Sequence, residues 1–142
     1  MVVLCDPKYI RNLAEAKRAC AAFGENDLRW TGGRIRPDLA FRVKRLPREL
    51  RMYKEVTVSR LEGPTSVHGL TPVAVEFGIG EPLDTFEHPE NAMYVFGPED
   101  GNVPKAWLSR CHRFVHIPAD YCLNLSHAVS IVLNDRRMKE LS

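Results

Sequence analysis

An α/β fold, a mostly parallel sheet covered by helices, follows from three features of this 142-residue chain. Short apolar runs alternate with helical stretches, the order that parallel sheets need. Leu13, Ala16, Cys20 and Phe23 recur at helical spacing. Three apolar runs are followed by loops rich in Gly, Pro and Asn, at 78–81, 97–102 and 118–124. Ligands of open parallel sheets bind beyond the carboxyl ends of the strands, so these loops predict a shared pocket.

The elements follow in order. Val2, Val3 and Leu4 form a first buried strand. The helix after it carries Leu13 to Phe23 and stops at Gly24. Asn12 can cap its start, with Glu15 completing a capping box. Leu28 to Thr31 reads as a second strand, closed by Gly32 and Gly33. A short helix is expected between Pro47 and Met52, and strands at 55–59 and 73–77. Residues 78–90 read as a loop or broken helix. Met93 to Phe96 is a strand, Pro104 to Arg110 a short helix with Pro at its start, and Phe114 to Ile117 the last strand. The final helix, Ser126 to Leu141, presents Ala128, Val129, Val132 and Leu133 on one side. No repeat or linker divides the chain, which is expected to be a single domain over 1–142.

Composition narrows the function. No apolar run is long enough to span a membrane, and the N-terminus lacks the charged start of a signal peptide. The expected location is the cytoplasm. Cys5, Cys20, Cys111 and Cys122 show no paired spacing, so neither a disulfide framework nor a metal site is expected. His112 and His116 are read as structural or surface residues, and His127 as packing. No phosphate-binding glycine motif follows the first strand, which disfavours dinucleotides and P-loop nucleotides. Net charge is +2, but nine basic residues and three acids lie between Arg34 and Arg60. That asymmetry predicts a polyanion surface, with Arg34, Arg36, Arg42, Lys44 and Arg45 gripping phosphates.

Three separated motifs then stand out. They are Asn12-Leu-Ala-Glu-Ala-Lys-Arg18 running on to Gly24, Val95-Phe-Gly-Pro-Glu99-Asp-Gly-Asn-Val-Pro104, and Ile117-Pro118 followed by Cys122-Leu-Asn124-Leu-Ser126-His-Ala-Val-Ser130. In this order the chain resembles the SpoU (TrmH) branch of the SPOUT RNA methyltransferases, over nearly its whole length. Its brevity resembles the small TrmL-like members, which methylate the tRNA wobble ribose. The resemblance implies a C-terminal deep trefoil knot, a homodimer with its active site near the subunit boundary, and S-adenosylmethionine bound in a bent form. It implies transfer of a methyl group to a ribose 2′-hydroxyl of RNA, tRNA before rRNA. Alternatives are a knotted RNA-binding module without turnover and methylation of a base nitrogen.

The implied roles fall on named residues. Arg18 would hold RNA phosphate and stabilise the developing ribose oxyanion; its local alternative is a pair with Glu15. Asn12 would orient Arg18 or the nucleotide. Glu99 would anchor its loop by accepting backbone N–H bonds, or hold Arg18 or Asn124. Asn124 would bond loop backbone near the cofactor, or cap the last helix. Val75, Gly97, Ile117, Cys122, Leu123, Leu125 and Ser126 would line the cofactor, Gly97 by letting it approach the main chain. Two positions depart from the family pattern. Asn102 stands where Gly is usual, in a turn that left-handed geometry would suit. Cys122 stands in place of Ser, a weaker hydrogen-bond partner.

Overall fold

The computed structural model describes residues 1–37 and 46–142. Seven strands form one sheet: β1 (Val2–Leu4), β2 (Asp27–Trp30), β3 (Thr57–Arg60), β4 (Thr71–Val75), β5 (Glu81–Pro82), β6 (Ala92–Phe96) and β7 (Arg113–His116). Their order is β3-β2-β1-β6-β4-β7-β5, and every pairing is parallel. The chain builds outward from β1 to β3, crosses to the other side, and later slots β6 between β1 and β4. That late insertion brings the carboxyl ends of β4, β6 and β7 side by side.

Strand β6 lies at the middle of this order, and all five of its residues are buried. Alternation divides them between two cores. Ala92, Tyr94 and Phe96 join the cluster containing Leu13 and Leu133; Met93 and Val95 join the cluster containing Trp107 and Cys111. The first cluster lies beneath α1 (Ile10–Ala22) and α3 (Leu125–Leu141), which pack on each other. The second is closed by the short α2 (Lys105–Leu108). Helix α1 ends as Gly24 predicted. Gly24 takes a φ of 74°, and the Glu25 N–H bonds back to the Cys20 carbonyl.

The start of α1 differs from the capping-box expectation. Tyr9 is the N-cap residue and makes no side-chain cap bond. Asn12 lies inside the first turn, buried, with its amide turned outward from the helix to Glu99. Helix periodicity could not reveal this, because the partner lies 87 residues away. The expected helix near Pro47 is a single 3₁₀ turn, Arg48–Leu50, held to α1 by the buried Lys17 amine, which donates to the Leu50 carbonyl at 2.9 Å. Residues 78–90 are neither loop nor helix throughout, since Glu81 and Pro82 add the edge strand to β7.

Beneath the site, a polar chain ties α3 to the sheet. The His88 ring contacts the Tyr94 hydroxyl at 2.7 Å and the Asp135 carboxylate at 2.6 Å, and Lys139 pairs with Asp135 at 2.8 Å. Leu133 fills the apolar space beside it and is fully buried. Leu133→Ala is expected to cost about 2–5 kcal/mol. A lowered urea midpoint at unchanged slope is the measurement that checks it.

Candidate active site

A cleft opens beyond the carboxyl ends of β4, β6 and β7. Its walls come from three consecutive segments: Val75 to Phe77 after β4, Phe96 to Asn102 after β6, and Ile117 to Ala128 after β7. Two of the three loops named from sequence therefore converge as expected. The third does not. Residues 78–81 leave the cleft to form the edge strand, and Glu76 and Phe77 take their place at its wall.

Gly97 sits where the β6 loop doubles back on itself. A Cβ there would fall 2.6 Å from the Asn102 carbonyl carbon and the Val103 nitrogen. The close approach that requires glycine is thus made by the chain's own backbone. Nor is the left-handed turn expected at Asn102 present: among described non-glycine residues only Asp6 and Tyr53 have positive φ. With no such turn, Asn in place of Gly carries no strain.

Glu99 organises the rim. Its two carboxylate oxygens accept the N–H groups of Lys8 and Tyr9, each at 2.9 Å, and the Asn12 side-chain amide at 2.8 Å. These donors stand at the start of α1, where the helix dipole also favours an anion. Partial burial pushes the Glu99 carboxyl up, but the bonds from Lys8, Asn12 and Tyr9 outweigh it and hold the group below its ordinary value. A second bond ties α1 to the third segment. The Ser126 hydroxyl donates to the Glu15 carboxylate at 2.6 Å, and the Asn124 side-chain oxygen accepts the Ser126 N–H at 3.0 Å as the cap of α3. Glu15 was expected in a capping box or paired with Arg18, whereas its hydrogen-bond partner is 111 residues away.

The other expected site residues divide clearly. Val75, Gly97, Ile117, Cys122, Leu123 and Leu125 line the cleft, with Leu125 buried and Cys122 exposed. The other three cysteines, Cys5, Cys20 and Cys111, are buried. Ser126, expected to line the cofactor, and Asn124 belong to the third segment but do not line the cleft, because their side chains are engaged with Glu15 and the start of α3. Arg18 is exposed on α1 and is not part of the cleft wall. Its alternative partner Glu15 is taken by Ser126. Arg34 is not a free phosphate ligand: it makes two bonds to Asp100, at 2.7 and 3.0 Å, and pairs with Asp6 at 3.1 Å. Arg36 is exposed. Arg42, Lys44 and Arg45 lie outside the described residues. Among the described residues no cluster could hold a metal ion, and no helix is long and apolar enough to cross a membrane.

With this geometry in place, comparison with known proteins is informative. The sequence matches the SpoU rRNA Methylase family over residues 1–134. The chain belongs to that family. Its fold is also that of solved methyltransferases. The SpoU methyltransferase AviRb from Streptomyces viridochromogenes, crystallised with AdoMet, superposes with a TM-score of 0.80 at 17% identity. That match covers 99% of this chain but only 60% of AviRb, so the chain spans about three-fifths of that relative's length. A structure giving insights into the 2-OH methylation of C/U34 on tRNA matches at a TM-score of 0.82 and 21% identity, covering 99% of this chain and 95% of the other. The A. aeolicus TrmH/SpoU tRNA modifying enzyme matches at 0.78 and 16%, covering 99% and 75%. No curated protein matches the sequence closely enough to count as a relative.

Glu99→Gln removes one of the two acceptor oxygens and is expected to cost about 1–2 kcal/mol at neutral pH. Because the folded carboxyl is held below its ordinary 4.5, its contribution is present above that value and lost as pH falls through the lower folded one. Melting temperatures of the two proteins should therefore converge on acidification. A constant gap across the carboxylate range would contradict this account of the rim.

Proposed function

We propose that this chain is an RNA methyltransferase that uses S-adenosylmethionine and modifies a ribose 2′-hydroxyl, on tRNA in preference to rRNA. The observation that carries the reading is the cleft at the tips of β4, β6 and β7, two of whose walls, the segments after β6 and β7, are bonded to the helix bearing Arg18. Family membership supports methylation of RNA. The solved relative described with 2-OH methylation on tRNA, of nearly equal length, supports the finer choice.

The cleft suits such a donor. Val75, Ile117, Leu123 and Leu125 offer apolar surface for a purine, and the doubled-back loop at Gly97 offers main-chain groups. When bound, S-adenosylmethionine supplies a methyl carbon made electrophilic by its sulfonium. The chain's own residues then do two things. They hold two reactants together, which alone lowers the barrier substantially. Arg18, always charged, stabilises the alkoxide that develops on the ribose oxygen. Arg18 lies outside the cleft wall of its own subunit, so the reading includes a homodimer whose boundary brings an exposed guanidinium to the reacting group. Asn12, fixed by Glu99, and Asn124, fixed by Ser126, position the two loops. Basic residues from Arg34 to Arg60, with Arg42, Lys44 and Arg45 among them, grip phosphates. Arg34 does so by exchanging Asp100 for phosphate. The C-terminal segment is taken to thread a trefoil knot, the whole chain to be one SPOUT domain, and its location the cytoplasm.

Arg18→Ala is expected to lower labelled-methyl incorporation into bulk tRNA by about 10²–10³-fold while leaving donor affinity unchanged. Equal incorporation by both proteins would remove Arg18 from the mechanism. No incorporation by either would favour an RNA-binding module. Nucleoside analysis of the product separates ribose from base methylation.

A further inference from the structure

The cleft wall carries two carboxylates, Glu76 and Glu99, and no Lys or Arg among the described residues. Glu99 is already satisfied by three N–H donors from α1. Glu76 is not. It stands at the tip of β4, half-buried, and one of its oxygens accepts the Val103 N–H. Among the described residues its second oxygen has neither a hydrogen-bond donor nor a cation. The same wall carries the apolar side chains of Val75, Phe77, Phe96 and Ile117.

Such a placement leaves a half-buried negative charge at the cleft with a single hydrogen bond. Partial burial pushes the Glu76 carboxyl up despite the bond from Val103. The main-chain bond accounts for one oxygen but not for the negative charge. An RNA phosphate would be repelled from this position, so the charge does not serve the polyanion. A cation entering the cleft would relieve it.

We propose that Glu76 recognises a cationic centre of the methyl donor and so favours charged over neutral adenosine ligands in this cleft. The inference rests on the S-adenosylmethionine reading above. It concerns charge recognition, separate from the loop contact to Val103. The donor has two positive groups, a sulfonium and an α-ammonium. S-adenosylhomocysteine keeps only the ammonium, and 5′-methylthioadenosine has neither.

The test is calorimetric titration of the full chain and Glu76→Gln with these three ligands, without RNA. Glutamine has the same shape and retains an oxygen for the Val103 N–H, so it removes the charge alone. S-adenosylmethionine affinity is expected to fall about tenfold or more in Glu76→Gln, the size of one charge-assisted bond, with 5′-methylthioadenosine unchanged. Loss confined to S-adenosylmethionine assigns Glu76 to the sulfonium; equal loss for S-adenosylhomocysteine assigns it to the ammonium. Glu76→Asp, which keeps the charge, should recover part of the affinity, and this arm stands if the glutamine variant folds poorly. Unchanged donor affinity in Glu76→Gln overturns the inference and leaves the donor reading intact. So does equal weakening of all three ligands, which would make Glu76 a loop support only. Failure of the unaltered chain to bind any of the three overturns both.

Discussion

The site depends on one carboxylate. Glu99 reaches from the loop after β6 to the start of α1 and accepts three N–H groups there. Helix α1 has no capping side chain of its own. The N–H groups of Lys8 and Tyr9, just before the helix, and the side-chain amide of Asn12 in its first turn are instead held by a residue of the loop that lines the cleft, which fixes helix and loop to each other. The Ser126 hydroxyl on Glu15 repeats the device for the segment after β7. Helix and loops behave as one body, so the position of Arg18 is referred to the cleft through hydrogen bonds at 2.6–2.9 Å.

Charge is distributed in the same logical way. The cleft wall holds two carboxylates, and the described basic residues between Arg34 and Arg60 are not among those that line it. Arg34 stands at the junction, bound to Asp6 after β1 and to Asp100 of the β6 loop. Burial raises the Cys5 and Cys20 thiols to about 12 and Cys111 to about 11, so these three are packing groups.

Much of this was legible in the residues. Alternating apolar runs located the strands to within a few positions, because a covered parallel strand must be apolar on both faces. Gly24 marked the end of α1, since only the left-handed backbone it permits closes the helix there. The loops at 97–102 and 118–124 were recognisable as pocket walls from their turn-forming residues. The loop at 78–81 was misassigned because nothing in its two glycines, Gly78 and Gly80, distinguishes a pocket wall from the approach to an edge strand. Glu76 was overlooked, and Glu15 was matched only to local partners, because an isolated acid in a strand tip or helix carries no signature of a distant contact.

Local composition thus determined the α/β class, the order of elements and the segments able to build a pocket, since these follow from backbone propensity and the spacing of apolar residues. Which partners those segments meet was decided only in three dimensions. Asn12 with Glu99, Glu15 with Ser126 and Glu76 with Val103 are separated by 87, 111 and 27 residues. Contacts at such distances are set by the late insertion of β6 between β1 and β4, and no short-range pattern encodes that choice.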